Sequence, residues 1–358
     1  MISQKDQKKI LIIGQGITGT MLSWYCTVLG LDFILIDDGM GNAPSKTAAG
    51  IINPVTGRRI VTVWMDDILL PFAEQTYTAL GSFLQINAIS KTHIIDFFPN
   101  PFMKENFLKK INQQAPYIRL DENNYSRFFN YEFGSGLIDP VYIVHLEQLL
   151  PAWRKYLSQE QKFMNASFSF SQLEVKEDKV IYDNIEAEKI IFCDGAWGNS
   201  NPYFSMLPFA LNKGEAIIIE APELPWGKIY KKSMTLAPFG EKGTFWIGSN
   251  YLWDFDDDQP TEAFRKNTED ILNNWLKIPY KIIDHKAAIR PATVERRPFA
   301  GFHPLFKNVG ILNGMGTKGC SLAPFFAHQL IQNILYNSPI EKEADIARHS
   351  RILARTRI

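Results

Sequence analysis

The sequence predicts an α/β fold with an antiparallel sheet set into it, and three observations carry that reading. Near the N-terminus an apolar run, a glycine turn, a helical stretch and a second apolar run follow in quick succession, in "KKILIIGQGITGTMLSWYCTVLGLDFILIDD". Between residues 214 and 251 apolar residues alternate, as in "EAIIIE" and "GTFWIGSNYLW". Near the C-terminus "VGILNGMGTKGCSLAPFFAHQLIQNIL" reads as a strand, a second glycine turn and a helix. Continuous apolar runs suit buried parallel strands, and alternation suits antiparallel ones.

The first element is Ile10 to Ile13, short and apolar enough for a buried parallel strand. Gly14-Gln15-Gly16-Ile17-Thr18-Gly19 follows as GxGxxG. Gly14 permits the tight turn, Gly16 lets the backbone approach a pyrophosphate, and Gly19 lets helix and strand pack closely. Apolar residues at helical spacing (Met21, Leu22, Tyr25, Val28) run to Gly30, which ends the helix. A second strand, Phe33 to Ile36, leads into Asp37 and Asp38. An acid at that point accepts hydrogen bonds from ribose hydroxyls, so the unit reads as a Rossmann-like dinucleotide site. Asp37 is the first choice for this role and Asp38 the second. The same acid argues against a 2′-phosphorylated dinucleotide, and the unit alone does not separate NAD from FAD.

Next comes "GMGNAPSKTAAGIINPVTGRR", where Ser45, Thr47, Ala48, Ala49 and Gly50 would let backbone pass close to a bulky ligand. "VWMDDILLPFAEQTYTALGSFL" has helical spacing, while "HIIDFF" and "YIRL" resemble short strands. In "GSGLIDPVYIVHLEQLL" a strand at Gly136 to Ile138 is expected to end at Asp139, which would cap a helix with Pro140 in its first turn. "KIIFCDGAWGN" reads as another buried strand entering a glycine turn. Tyr251 and Trp253 are expected to pack on the antiparallel sheet, and His303 to serve a loop or cap. No repeat, low-complexity tract or linker is evident. A discontinuous nucleotide domain over 1–85, 136–210 and 288–358 is therefore expected, interrupted by a second domain over 86–135 and 211–287.

The bulk composition narrows the function classes. The chain has 358 residues, 46% hydrophobic and 21% charged, as ordinary globular proteins do. Its formal net charge is zero, which speaks against a nucleic-acid grip. Three dispersed cysteines and six histidines form no metal-binding or redox motif, so no metal is expected. No apolar stretch approaches the roughly 18 residues of a membrane helix, and no signal peptide is evident. A cytoplasmic protein with no membrane partner is the expectation.

Taken in order, several blocks resemble the D-amino-acid oxidase, glycine oxidase and sarcosine oxidase superfamily of FAD-dependent oxidoreductases. They are "GQGITG" with Asp37; "SKTAAGIINP"; "SGLIDP"; "FCDGAWGN" with "NKGEAIIIE"; and "IRPATVERRPFAGFHP" with "NGMGTKGCSLAP". The resemblance spans nearly the whole chain. It implies a glutathione-reductase-like FAD-binding domain with an inserted substrate domain. It also implies oxidation of the C–N bond of an amine or amino acid by hydride transfer to flavin N5. The imine would hydrolyse in water, and oxygen or another acceptor would take the electrons. No cysteine lies shortly before Arg290, so the flavin is expected to be non-covalent.

The resemblance also implies the site. Gly14, Gly16, Ile17, Thr18 and Gly19 would face the pyrophosphate, and Asp37 the ribose. Ser45, Thr47, Ala48, Ala49 and Gly50 would lie around pyrophosphate and flavin. Phe170 would offer a backbone group to the adenine, with Asp194 and Gly195 near the adenosine half. Gly314, Gly316, Thr317, Lys318 and Gly319 would close on the flavin pyrimidine edge, where reduction develops negative charge. Backbone amides there, and the Lys318 cation, suit that charge. Arg290 would pair with a substrate carboxylate, and Arg58 and Arg59 could enlarge that subsite. The run Val294-Glu295-Arg296-Arg297 departs from the family pattern. Three other readings remain: a flavin oxidase of a modified tRNA base side chain, an NAD-dependent dehydrogenase, and a non-catalytic flavoprotein.

Overall fold

The computed structural model describes residues 9–39, 42–57 and 59–358. The chain divides into two compact units, Met1–Lys46 with Leu149–Asn212 and Ile289–Ile358, and Thr47–Gln148 with Lys213–Ala288.

The first unit is built on a six-stranded sheet. Its elements are β1 (Ile10–Ile13), α1 (Ile17–Val28), β2 (Phe33–Ile36), α2 (Leu146–Gln159, entering this unit at residue 149), β3 (Phe163–Met164), β4 (Lys189–Phe192), β5 (Phe299–Phe302), β6 (Val309–Asn313) and α3 (Gly319–Tyr336). The strand order is β5-β6-β4-β1-β2-β3. All neighbours are parallel except the β5–β6 pair. All four residues of β1 are buried, as a central parallel strand requires. Leu11, Ile13, Ile190, Phe192 and Ile311 join one apolar cluster, and α1 packs beside α3. α1 ends where Gly30 takes a φ of 67°, with Gly30 N–H donating to Thr27 O at 3.1 Å and Leu31 N–H to Cys26 O at 2.8 Å. This closure needs a left-handed residue, which glycine adopts without a Cβ clash.

The second unit is built on a large, mostly antiparallel sheet. Its longest ladder joins Ile89–Phe97 to Ser135–Val144. Asn212–Glu220 pairs antiparallel with Thr244–Gly248, as the alternating pattern predicts. An aromatic core of Phe97, Phe129, Tyr230 and Trp275 lies on one face.

Two expectations are corrected here. Asp139 caps no helix: Ser135–Val144 is one continuous strand and the helix begins at Leu146. The apolar residues around Pro140 are held in the long ladder. Its register shifts between Thr92 and Ile94, so Asp139 and Pro140 fall at a bulge where a missing N–H costs no ladder bond. The Asp139 carboxylate pairs across the sheet with Arg119 at 3.2 Å.

Residues 47–85 and 136–148 group with the second unit. The helix Asp66–Leu84 packs on Ile89–Phe97, and Ser135–Val144 pairs with that same strand. Finally, Tyr251 and Trp253 are 55% and 62% exposed rather than packed. They follow the strand Thr244–Gly248 in a loop. Asn250 accepts the Glu215 amide at 2.8 Å, and Leu252 exchanges two backbone bonds with Lys213. Tyr251, between these anchors, and Trp253, just after them, are left exposed.

Candidate cofactor site

The first glycine turn joins β1 to α1. Gly14 has a φ of 98°, and a Cβ there would lie 2.6 Å from the Cys193 carbonyl oxygen. A Cβ on Gly19 would lie 1.9 Å from the Gly14 oxygen. Both positions demand glycine for close backbone packing. Gly16 differs: a Cβ there would meet only Ser45 Oγ, at 3.4 Å, so its surface is open to a ligand. The helix start carries no acidic residue and no side-chain cap of its own. The first N–H groups of a helix lack intrahelical acceptors, and the helix dipole favours an anion beside them.

Asp37 and Ser45 brace this turn. Asp37 Oδ2 accepts the Gln15 N–H at 2.8 Å, and Oδ1 accepts the Gly39 N–H at 2.7 Å. Arg154, from α2, pairs with Asp37 Oδ1 and donates to Gln15 Oε1. Gln15 in turn donates to the Leu150 carbonyl at 2.9 Å. Ser45 Oγ accepts the Ile17 N–H at 3.0 Å. Asp38 is engaged elsewhere, accepting from Ser167 Oγ at 2.5 Å.

A second glycine turn follows β4. Asp194 is half-buried, with Asn201 donating to Oδ2 at 2.9 Å and Asn313 to Oδ1 at 2.8 Å. Burial pushes its carboxyl up to about 6, against the pull of those amides. Gly195, at a φ of 57°, has open space where a Cβ would project. Phe170 stacks on Phe192, the last residue of β4, with ring centroids 5.6 Å apart.

Asn313 ties this turn to the last one. Its side chain also donates to the Gly195 carbonyl at 2.9 Å and accepts the Gly314 N–H at 2.7 Å. Gly316 N–H donates to the Pro291 carbonyl at 3.1 Å, placing the Arg290 segment against the C-terminal turn. Arg290 Nη1 donates to Asn212 Oδ1 at 3.0 Å. A Cβ on Gly319 would lie 3.0 Å from Ile17 Cγ2, so the last glycine turn abuts the start of α1. The two glycine cradles of the sequence therefore line one region of the first unit.

Lys318 lies in that turn. Burial lowers its ammonium to about 8, and no carboxylate among the described residues offsets the shift. An ammonium removed from water without a fixed partner suits an anionic ligand.

Thr47, Ala48, Ala49 and Gly50 lie in the second unit. The Thr47 carbonyl accepts from Trp246 Nε1 at 2.8 Å. Gly50 has a φ of 71°, and a Cβ there would lie 1.9 Å from the Val144 oxygen, so close strand approach already requires glycine. Arg58 lies outside the described residues. Arg59 is exposed. Arg297 pairs with Glu343, and Glu295 with Arg348 at 3.2 Å, so this departure from the family pattern anchors the C-terminal segment. His303 Nδ1 accepts the Leu305 and Phe306 amides at 3.2 and 3.3 Å, a loop-capping role.

Sequence reasoning missed Gln15, Arg154, Asn201 and Asn313. Asn313 had a readable signal, an asparagine immediately before a turn glycine. Arg154 had none, because its partners lie far away along the chain.

The open Gly16 surface, a helix start without an acidic residue, and Lys318, which has no acid partner among the described residues, fit a pyrophosphate-bearing flavin dinucleotide. Solved structures of related shape agree with the fold. Iminodiacetate oxidase from Chelativorans sp. BNC1 is 18% identical, covering 94% of this chain and 98% of its own, with a TM-score of 0.74. Glycine oxidase from Geobacillus kaustophilus is 15% identical, covering 96% and 98%, at 0.77. L-proline dehydrogenase from P. horikoshii is 13% identical, covering 96% and 98%, at 0.75. The family model for FAD dependent oxidoreductase matches residues 9–332, and the chain belongs to that family of FAD-using enzymes.

Proposed function

We propose that this protein oxidises the C–N bond of a small amine or amino acid, the imine product being hydrolysed by water. The single observation that carries the site is Lys318, a desolvated cation with no acid partner among the described residues, beside two glycine cradles. The reaction class is supported by solved structures of the same fold, which are named as oxidases or dehydrogenases of iminodiacetate, glycine and proline. FAD, when bound without a covalent link, supplies the hydride acceptor, and oxygen or another acceptor reoxidises it.

The residues divide that work. Gly14, Gly16, Ile17, Thr18 and Gly19 hold the pyrophosphate, with Ser45 and Thr47–Gly50 as the small-residue loop. Asp37 holds the ribose, since Oδ2 keeps a free acceptor position beyond the Gln15 amide. Asp38 is the alternative, although Ser167 already occupies one of its oxygens. Phe170, Asp194 and Gly195 serve the adenosine half. Gly314, Gly316, Thr317, Lys318 and Gly319 stabilise the charge that develops on reduction. Arg290, oriented by Asn212, pairs with a substrate carboxylate, and its planar fork suits bidentate binding. Arg58 is assigned to the same anionic subsite. The first unit grips the cofactor, and the antiparallel unit is the substrate domain.

An absorption spectrum of the purified protein, repeated anaerobically with amines and amino acids, tests this reading. Flavin bands bleached by one class establish the reaction and name its substrate. Bands that no amine bleaches overturn the C–N assignment and favour a non-catalytic flavoprotein or another substrate. Tight, salt-sensitive tRNA binding would move the assignment to a modified nucleobase.

A further inference from the structure

We propose a second, hydrolytic centre within the antiparallel unit. There Ser90, His145 and Glu147 form a nucleophile–base–acid row suited to cleaving a small carboxylic ester. Ser90 Oγ lies 2.8 Å from His145 Nε2. On the other side of the ring, Nδ1 lies 3.7 Å from Glu147 Oε1. That oxygen is buried and makes no hydrogen bond among the described residues, so the imidazole edge is the polar group it faces. A carboxylate oxygen buried beside Nδ1 favours the tautomer with its proton there. Nε2 then keeps its lone pair for the Ser90 hydroxyl. This is the order of contacts an activated serine requires, and such contacts are commonly loose before substrate binds.

The fold assembles the row from two segments 55 residues apart. Ser90 is the second residue of Ile89–Phe97 and sits opposite Ile143. His145 follows Ser135–Val144 directly, and its backbone N–H donates to the Ala88 carbonyl at 3.0 Å. Glu147 lies in the first turn of α2. The ladder therefore fixes the Ser90–His145 distance through backbone bonds rather than through mobile side chains.

Two further features point to a substrate. Asn87 Nδ2 donates to Ser90 Oγ at 3.0 Å, so a neutral N–H donor lies beside the nucleophile. A cleft of about 250 Å³ opens beside Asn87, lined by Tyr77, Gly81, Ser82, Gln85 and Ile89 as well. Its lining reaches Ile89, the residue before Ser90, and its volume lies below the about 300–1,000 Å³ of cavities for drug-sized ligands, so a small substrate is the class proposed. None of these residues belongs to the flavin site.

The chemistry balances without a cofactor. Ser90 Oγ bonds to the ester carbonyl carbon while its proton passes to His145 Nε2. The carbon–alkoxy bond breaks, and the alcohol leaves with that proton. Water then bonds to the acyl carbon, giving a proton to Nε2, and as the Ser90 oxygen–carbon bond breaks to release the acid, Nε2 returns that proton to Ser90 Oγ.

The test uses the full chain carrying its flavin, with p-nitrophenyl acetate as substrate and a fluorophosphonate as covalent probe. The expected result is one probe per chain, mapped by peptide mass spectrometry to Ser90. Ser90→Ala and His145→Gln should each lower hydrolysis by about 100-fold or more, with thermal midpoint and flavin absorbance unchanged. Glu147 is a positioning residue. Glu147→Gln should lower kcat by about tenfold and leave KM nearly unchanged, a split that a merely structural role would not produce. A probe on another residue, no labelling, or hydrolysis that survives Ser90→Ala would overturn the proposal. So would Ser90→Ala activity that is lost only with His145→Gln, since a histidine acting alone makes no acyl-serine. The flavin spectrum is read in the same samples, so failure of this centre stays separate from failure of the oxidoreductase reading.

Discussion

Asp37 Oδ2 accepts the backbone N–H of Gln15 at 2.8 Å, so the acid that ends β2 also braces the glycine turn that follows β1. One carboxylate thereby shapes the cradle and, in the proposed assignment, holds the ribose. Asp37→Asn weakens an ionic acceptor to a neutral one and leaves Arg154 without its anion. Hydrogen bonds to charged groups contribute about 1.5–3 kcal/mol, so FAD affinity should fall by roughly 10- to 100-fold. Titration of apoprotein with FAD, followed by flavin fluorescence, checks this. Unchanged affinity would remove Asp37 from the cofactor site.

The glycines of the first turn should separate by variant. Gly19→Ala drives a Cβ to 1.9 Å from the Gly14 oxygen and should cost several kcal/mol, lowering both Tm and FAD content. Gly16→Ala meets only Ser45 Oγ at 3.4 Å, so the apoprotein should melt nearly as wild type while FAD binding drops. Equal loss of Tm in both variants would show that Gly16 serves packing instead.

Lys318 predicts a pH dependence of the apoprotein. Its folded ammonium titrates at about 8, below the unfolded value. Below about 8 both states are protonated and the burial penalty is fully present. As pH rises from there toward the unfolded value, the unfolded chain binds more protons, and stability rises. Denaturant titrations from pH 7 to 10 should show that rise, and Lys318→Met should abolish it. In the holoprotein, Lys318→Met should also slow flavin reduction.

Asp194 acts with the opposite sign at lower pH. Its folded carboxyl titrates at about 6, above the unfolded value near 4. Between these values the folded state holds the extra proton, so stability falls as pH rises through this window. Above it the deficit is constant. Asp194→Asn should remove this slope in denaturation curves taken from pH 4 to 7. A slope equal to that of wild type would assign the titration to other groups.

Arg290→Ala should raise KM for carboxylated amines on the order of 100-fold, with a smaller effect on uncharged amines. Steady-state kinetics on such a pair of substrates makes the comparison. If the two respond alike, Arg290 orders the Asn212 region instead.

Much of the first unit was legible because its signals are local. Ile10–Ile13 and Phe33–Ile36 are strands at the predicted bounds, and Gly14, Gly19 and Gly30 sit where turn geometry demands them. Hydrophobic runs, glycine turns and an acid after a strand act within a few residues, so the chain's own order encodes them. Pro140 shows the limit of that encoding. Locally Asp139-Pro140 starts a helix, but a long ladder with Ile89–Phe97 holds it as strand and its bulge absorbs the proline. Tertiary packing alone decided which distant groups meet: Arg154 with Asp37, Asn313 with Asp194, and Ser90 with His145. Each of those pairs depends on strand order and register, which are set by burial over the whole sheet rather than by neighbours in sequence.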